Sequence, residues 1–487
     1  MGEDHDSGFR FSFNGSVRFE GREDRLTGDA GVVLLREIDE RLGFTRQLAG
    51  ELADSRNPDL ITHPLEELLR SRLYAMVAGW RDQDDQDHLR HDGAMRIAVS
   101  NRRGDAPLRP VTEDALVPDG LASQPTQSRL VEMLSLGDNL GVLHRELLGQ
   151  AVDHHRRRFA SDSEAQVTID IDSTAIDAHG SQAGVQWNRH YHRRCFHPLV
   201  AMLAETEDWL DLALRPGSCH TSLGTEEFLI GIVNCLRHEL GRVDAVRGDA
   251  GYPGAKILSF LENEAEVPYV FRLPTNARLN EVAAPYMKRP RGRPPREGRV
   301  WLHELTHRAG TWDKDRRVVL VVLEKPGELF LRKFFLVTSW SEEEKSAEAL
   351  LEFYRQRGTL EGQIGVLKDV LRPVLSSTSR LKRHVRGRRP KKRRLTPRDG
   401  YACNEVNLLL FAMAHNLANV GREILARSMN RPCSARRFRR TVLNVAARLT
   451  LHARRVVVVL RDAVAPVWQG LLRTLDDVLP LAPPATA

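Results

Sequence analysis

The stretch QVTIDIDST, residues 166–174, decides the predicted fold of this 487-residue chain. Valine and isoleucine alternate in it with polar residues, and a period of two is typical of a β-strand with one apolar face. The other face carries the carboxylates of Asp170 and Asp172. The stretch therefore predicts a strand that packs one face into a core and presents two acids on the other.

The segments after this strand predict an α/β domain. Two strand-like segments come first, a helical segment follows, and another strand-like segment comes next. From this order we expect a mixed sheet with flanking helices. The four segments are FHPLVAMLA, WLDLALRPG, TEEFLIGIVNCLRHEL and VDAVRGDAGY. A helix near residues 253–262 and a strand at VPYVFRLPT continue the domain.

Composition divides the rest of the chain. Residues before 160 repeat apolar side chains three and four positions apart, as amphipathic helices do. After residue 278 a Pro/Arg-rich turn leads into strand-like runs, and the end of the chain returns to a helical pattern. The predicted units are a flexible arm (1–25), a helical N-terminal domain (26–160), an α/β domain (161–278 and 331–378), a β-rich insertion (279–330), a basic loop (379–400) and a helical C-terminal domain (401–487).

The chain is basic, with a net charge of +7 and an isoelectric point near 9.3. Clustered Lys and Arg attract phosphates, so nucleic acid is the predicted partner and an anionic membrane surface is a weaker alternative. Residues 380–398 contain 11 Lys or Arg and no acid, which predicts a flexible, phosphate-binding loop. The candidate DNA-binding residues in this loop are Arg388, Arg389, Lys391, Lys392, Arg393 and Arg394.

Several protein classes are disfavoured. No run approaches the roughly 18 apolar residues of a membrane span, and the first residues are polar and acidic rather than signal-like. We therefore expect a cytoplasmic protein. The five cysteines are scattered without a CxxC pair, so neither a disulfide framework nor a thiolate zinc site is predicted.

The stretch YRQRGTLEGQIGVLK, residues 354–368, has helical character despite three glycines. At 100° per residue, an uninterrupted helix would place four functional side chains within an arc of about 60°: Tyr354, Arg357, Glu361 and Lys368. Gly358 and Gly365 border this arc, and Gly362 lies outside it. Each glycine costs roughly 0.5–1 kcal/mol relative to alanine. A merely solvated face gains nothing from adjacent glycines, so the pattern predicts a surface that presses against a ligand.

Three carboxylates could converge on this surface. Asp172 lies on the first strand, Asp249 follows the apolar residues of VDAV, and Glu361 lies on the helix. Carboxylate oxygens are the ligands that Mg²⁺ prefers. Two such ions about 3.5–4 Å apart can activate water or a 3′ hydroxyl and stabilise the leaving oxygen in phosphodiester chemistry.

The spacing Tyr-x2-Arg-x3-Glu-x6-Lys resembles the signature helix of bacterial DDE transposases of the insertion-sequence 4 superfamily. DIDSTAIDAHG and RGDAGY resemble the first and second aspartate motifs of that family, although Ala250 and Tyr252 stand where Ser and Phe are expected. Further runs, including LTGDAGVVLLREIDERLG and SQPTQSR, are most similar to the insertion-sequence 1380 group. The aspartates are 77 residues apart, and 112 residues separate Asp249 from Glu361, which leaves room for the family's β insertion.

The resemblance implies an RNase H-like catalytic domain in which Asp172, Asp249 and Glu361 bind two Mg²⁺, for which Mn²⁺ can substitute. Asp170 shares a face with Asp172, so either could coordinate; the motif context favours Asp172. Tyr354, Arg357 and Lys368 would hold DNA phosphates. The implied activity is metal-dependent cleavage at transposon inverted repeats and strand transfer into target DNA.

The same resemblance implies the partners and the location. They are double-stranded DNA, a second copy in a homodimer on paired ends, and the nucleoid of a bacterium. The N-terminal helical domain would bind DNA. A DNA-reading helix could begin as residues 123–134 do, but any surface helix can begin in this way, and an ordinary surface helix is favoured. The alternative functions are an RNase H-like nuclease without strand transfer and a domesticated sequence-specific DNA-binding protein.

Two other groups of residues are weaker candidates. His190, His192, Cys195 and His197 lie within eight residues, but on a strand they would divide between two faces, so one zinc ion could not collect all four. DNA contacts or plain surface histidines are favoured. Trp301 or Trp312 could stack on a flipped base, and core packing is the favoured role for both.

Overall fold

The strand predicted at residues 166–174 forms the middle of an eight-stranded sheet in the computed structural model of the chain. The structure describes residues 12, 13, 16, 25–109, 120–178, 180, 182–291, 296–379 and 399–480. The strands in these residues are β1 Leu26–Thr27, β2 Thr168–Ser173, β3 Ile176–Asp177, β4 Gln186–Asn188, β5 Arg193–Phe196, β6 Leu199–Leu203, β7 Asp208–Ala213, β8 Ala245–Gly248, β9 Tyr269–Leu273, β10 Arg299–His307, β11 Arg316–Glu324, β12 Arg332–Thr338, β13 Ala447–His452 and β14 Arg455–Val459.

The large sheet has the order β10-β11-β12-β9-β8-β2-β6-β7. β2 pairs in parallel with β8, and β8 pairs in parallel with β9, whereas the other neighbours are antiparallel. The prediction of a mixed sheet is confirmed. Between β2 and β6, the short strands β3, β5 and β4 form a separate three-stranded sheet beside it.

Helices cover the sheet and build the two ends of the chain. In the described residues they are α1 Val32–Leu42, α2 Phe44–Glu51, α3 Leu65–Ala78, α4 Asp85–Leu89, α5 Gly93–Val99, α6 Gln124–Leu134, α7 Asn139–Arg158, α8 Thr225–Leu240, α9 Ala255–Asn263, α10 Ala277–Ala283, α11 Ala347–Arg355, α12 Gly358–Val366, α13 Gly400–Met429, α14 Ala435–Phe438 and α15 Ala465–Val478. None of them combines the length and apolarity needed to cross a lipid bilayer.

The long helix α13 joins the helical ends of the chain to the sheet. It packs against α3 and α7 from the N-terminal side, against α15, and against the edge strand β7. The side chain of Asn416 on α13 bonds both backbone groups of Trp209 on β7, each at 2.9 Å. The two helical regions therefore share one apolar core with part of the sheet, rather than forming separate bodies.

Two predicted units differ in detail from the structure. The strands of the predicted insertion at 279–330 are not a separate sheet, because β10 and β11 extend the large sheet through β12. The predicted helical C-terminal domain contains a hairpin, β13–β14, whose two-residue turn, Ala453 and Arg454, has positive φ at both positions. Asn-Gly is the usual sequence of such a turn, so its absence hid the hairpin. β1 joins this hairpin at its edge.

Candidate active site

Asp172 and Asp249 meet at the carboxyl-terminal ends of β2 and β8 because these strands are parallel neighbours. Ile171 on β2 lies opposite Gly248 on β8, so the next pair in register is Asp172 and Asp249. Each carboxylate is oriented by a hydrogen bond from a nearby backbone N–H. Asp172 accepts the N–H of Ser173 at 2.7 Å, and Asp249 accepts that of Gly251 at 2.8 Å.

The segment carrying Glu361 is not one continuous helix, and that prediction is wrong. α11 ends at Arg355, a turn follows, α12 begins at Gly358, and a π-helical turn continues from Leu367 to Leu371. In the turn the backbone N–H of Arg357 donates to Tyr354 three residues back, at 3.1 Å, instead of four. The 60° arc therefore does not describe the positions of Tyr354 and Glu361.

Arg357 brings Asp172 and Glu361 together in spite of the break. Its Nη2 donates to Oδ2 of Asp172 at 2.5 Å, and its Nη1 donates to Oε1 of Glu361 at 2.9 Å. The Arg357 side chain is buried and that of Asp172 is 14% exposed, whereas that of Glu361 is 66% exposed. In this structure Arg357 is thus the counter-ion of two carboxylates, while its predicted phosphate contact stays a prediction.

The three carboxylates influence one another. Burial raises the pKa of Asp172 to about 6; the Arg357 charge opposes this rise, and the charges of Asp249 and Glu361 add to it. The donor set of three carboxylates suits a divalent cation. Within the described residues, however, no three such side chains are already gathered at metal-binding positions. A cation bound to Oδ2 of Asp172 and Oε1 of Glu361 would take the place of Arg357.

Asp170 is already engaged by a different arginine. Nε and Nη2 of Arg247 donate to its two carboxylate oxygens at 2.6 and 2.8 Å, and both side chains are buried. Of the two acids on β2, Asp172 is therefore the one beside Asp249 and Glu361. Arg247 is not among the residues predicted from the sequence. A charged residue within a short, buried strand could have indicated it, because a buried charge requires a partner, here on the neighbouring strand.

Tyr354 and Lys368 flank the carboxylates. Tyr354 is half-buried against Phe334, with 6.3 Å between ring centroids, and burial raises the pKa of its hydroxyl. Lys368 lies with its Nζ 6.0 Å from the centroid of Tyr191, and it lines a cavity of about 450 Å³. The loop residues from Arg388 to Arg394 lie outside the described residues.

Tyr191 is a second residue that the sequence analysis missed. Its ring centroid lies 6.0 Å from Nζ of Lys368, and burial together with the charges of Asp172 and Asp249 raises the pKa of its hydroxyl. It precedes β5 in the three-stranded sheet. Its position depends on the packing of that sheet against the large one, so no local motif marks it.

The weaker candidates have separate environments. His190 and His192 are exposed, Cys195 is buried, and Nδ1 of His197 lies 3.4 Å from the carbonyl oxygen of Cys219. The indole of Trp312 is buried and donates to the carbonyl of Pro253 at 3.4 Å. Trp301 is half-buried against the core of the sheet. Both tryptophans thus have the favoured packing role.

The three glycines of the 354–368 segment face open space in the described residues. A methyl group added to Gly358, Gly362 or Gly365 would meet nothing within 4 Å. Packing within the protein therefore does not explain why these three positions are glycine. The predicted ligand-facing surface stays a prediction, and the space that it requires is present.

Comparison with known proteins identifies the family. Residues 9–386 match the family described as Transposase DDE domain group 1. No curated protein matches the chain. Among solved structures, the chain is similar to that titled "Cryo-EM structure of piggyBac transposase synaptic complex with hairpin DNA (SNHP)", at 14% identity and a TM-score of 0.37, covering 97% of this chain and 90% of that one. The family match spans most of the chain, including all three carboxylates, and the chain therefore belongs to the DDE transposase domain family, group 1.

Proposed function

We propose that the protein is a DNA transposase of the insertion-sequence 4 superfamily, in the insertion-sequence 1380 group, which cleaves DNA at inverted-repeat ends and joins the ends to target DNA. The observation that carries this proposal is the meeting of Asp172 and Asp249 at the ends of two neighbouring strands, with Glu361 linked to Asp172 through Arg357. Membership of the DDE family supports it. The strand order β7-β6-β2-β8-β9, three antiparallel strands followed by two parallel ones, supports an RNase H-like core.

Asp172, Asp249 and Glu361 would hold divalent metal ions, which this family uses. The ions would be two Mg²⁺, with Mn²⁺ as a substitute, and they would supply a polarised nucleophile and charge stabilisation at the leaving oxygen. Within the chain, the carboxyl-terminal ends of β2 and β8 fix two of the ligands, Asp172 and Asp249. Arg357 exchanges its carboxylate partners for a DNA phosphate, and Tyr354 and Lys368 position the neighbouring backbone.

Both chemical steps are displacements at phosphorus. In cleavage, a water oxygen forms a bond to phosphorus as the bond from phosphorus to the 3′ oxygen breaks, leaving a 3′ hydroxyl and a 5′ phosphate. In strand transfer, that 3′ hydroxyl attacks a target phosphodiester and releases a target 3′ hydroxyl. Cleavage is a hydrolysis, which is favourable by itself, and strand transfer loses one phosphodiester bond for each one formed, so no further energy source is required.

The DNA-binding parts of the proposal are the helical region at 26–160, the basic loop with Arg388 to Arg394, and the pairing of two ends by a homodimer. The net charge of +7 supports a polyanionic partner.

The test is a joining assay with purified protein, Mg²⁺, a pre-nicked inverted-repeat end and a target plasmid. We expect a joined product, lost in Asp172→Asn, Asp249→Asn and Glu361→Gln. Glu352→Gln is the matched control, because its side chain is 70% exposed, close to the 66% of Glu361. Cleavage without joining would identify a nuclease, and specific binding that Glu361→Gln leaves unaffected, without cleavage, would identify a domesticated DNA-binding protein.

A further inference from the structure

A buried arginine on β8 contacts β2 and the junction that leads from α11 into α12. We propose that Arg247 is a positioning residue, which holds β2, β8 and the turn between α11 and α12 in the arrangement that the reaction needs. We call its contacts with Asp170, Phe353 and Gln356 the Arg247 bracket. The inference rests on the proposed function, because it assigns Arg247 a role in that reaction.

The first half of the bracket joins the two strands. Arg247 lies two residues before Asp249 on β8, and Asp170 lies two residues before Asp172 on β2. The two are direct partners in the parallel register and form a two-pronged ion pair at 2.6 and 2.8 Å. Residues two apart on a strand project to the same side. The pair therefore fixes the separation of β2 and β8 immediately next to both aspartates.

The second half joins these strands to the helix junction. Nη1 of Arg247 donates to the backbone carbonyl of Phe353 at 2.9 Å and to Oε1 of Gln356 at 3.2 Å, and the guanidinium lies 4.8 Å from the centroid of the Phe353 ring. In a continuous helix that carbonyl would accept the N–H of Arg357. Arg247 satisfies it instead, as the last carbonyls of a helix require.

This contact explains the place of the helix break. With the Phe353 carbonyl bonded to Arg247, the chain turns after Arg355, and Arg357, just before α12, bonds both Asp172 and Glu361. A guanidinium is suited to the role because its fork donates in two directions at once. A lysine has a single charged nitrogen and no planar fork.

A second buried ion pair provides a comparison within the same sheet. Nε and Nη2 of Arg316 donate to the two oxygens of Glu262, both at 2.8 Å, and join β11 to α9. Neither segment carries one of the three carboxylates. Loss of this pair removes the same kind of interaction without touching the proposed site, so it separates positioning from general stability.

The test compares two double variants. The bracket variant combines Arg247→Met and Asp170→Leu, and the control variant combines Arg316→Met and Glu262→Gln. The glutamine keeps an acceptor for the hydroxyl of Tyr269. Apolar replacement of a buried pair is often tolerated, so both double variants are expected to fold; thermal melting checks this. Hydrogen–deuterium exchange of residues 353–361 should be faster by about tenfold or more only in the bracket variant. Its cleavage rate at saturating DNA should fall about 100-fold, with unchanged affinity for the end.

A third variant, Arg247→Lys, keeps the charge and should restore neither the exchange rate nor the cleavage rate. Equal exchange and equal cleavage in the two double variants, or full rescue by lysine, would overturn the bracket. If the wild type neither binds nor cleaves ends while exchange still responds as expected, the proposed function fails and the positioning of the three segments by Arg247 stands.

Discussion

At the scale of single residues, two kinds of anion compete for Arg357: the carboxylates of Asp172 and Glu361, and a DNA phosphate. This arginine is buried between Asp172 and Glu361, yet its predicted role is to hold a DNA phosphate. A guanidinium and a divalent cation cannot neutralise the same carboxylate oxygens at once. Metal binding and phosphate binding should therefore favour each other, since the phosphate draws Arg357 away from the metal ligands.

Replacement of Arg357 by glutamine should raise the affinity for Mn²⁺ in the absence of DNA by about tenfold or more, because the competing charge is removed. Isothermal titration of the DNA-free protein measures this affinity. Arg355→Gln is the control, since that side chain is half exposed and its pair with Glu352 is long, at 3.9 Å. An unchanged or weaker Mn²⁺ affinity in Arg357→Gln would contradict the competition.

His154 gives a second prediction at this scale. Its ring nitrogens lie 2.6 Å from Asp208 and 2.9 Å from Glu423, joining α7, β7 and α13. Burial alone would lower the pKa of His154, but the two carboxylates outweigh it and raise the pKa to about 9. A raised histidine pKa stabilises the fold fully below about pH 6.5, and this stabilisation is lost as the pH rises through 9.

The expected loss is on the order of 3 kcal/mol in the free energy of unfolding between pH 6.5 and 9.5. Urea titrations of the wild type and of His154→Gln measure it, and the variant should lack this part of the pH dependence. His238→Gln is the control because that side chain is 84% exposed. Equal pH profiles for wild type and His154→Gln would exclude the ion-pair explanation.

At the scale of elements, the break between α11 and α12 leaves Gly365, rather than Gly362, as the glycine near Glu361, as in an uninterrupted helix. Within α12, at 100° per residue, Gly365 lies about 40° from Glu361, whereas Gly362 lies about 100° away. Both positions are open in the described structure. A surface that presses against DNA therefore predicts different roles for two glycines that look alike in the sequence.

Gly365→Ala and Gly362→Ala should each raise the free energy of unfolding by roughly 0.5–1 kcal/mol, because alanine is the better helix former. Only Gly365→Ala should weaken end binding and slow cleavage. Chemical denaturation and a binding titration on the same preparations separate the two effects. If the two variants cleave equally well, the glycine surface is not a DNA-facing one.

At the scale of the whole molecule, α13 makes the α/β region depend on the C-terminal helices. Its Asn416 bonds the backbone of the edge strand β7, and its Glu405 accepts the N–H of Leu214 at 3.0 Å. A fragment of residues 161–378 would expose this edge and the apolar surface that α13 covers. We expect the fragment to lack a cooperative thermal transition and to be degraded by trypsin faster than the full chain. Cooperative melting of the fragment would disprove this dependence.

The sequence predicted what local periodicity encodes. The alternation at 166–174, the strand-helix-strand order after it and the helices α6, α8 and α9 all follow from patterns within one segment. The helix break at Arg357 was missed because its cause, the bond from Arg247 to Phe353, joins residues 106 positions apart. Tyr191 and the shared core around α13 were missed for the same reason: they arise from packing between segments, which no local pattern records.

The pairing of β1 with β13 has a consequence for synthesis of the protein. Leu26 lies beside Arg448, so the first strand has no partner until more than 400 further residues have been made. At about 5–20 residues per second, that interval is roughly 20–80 seconds. During that time the early helices also lack α13 and part of their core, and they must be kept from aggregating. A product ended early by a frameshift or a stop codon would keep this unfinished core, so we expect proteases to remove it faster than the 487-residue chain.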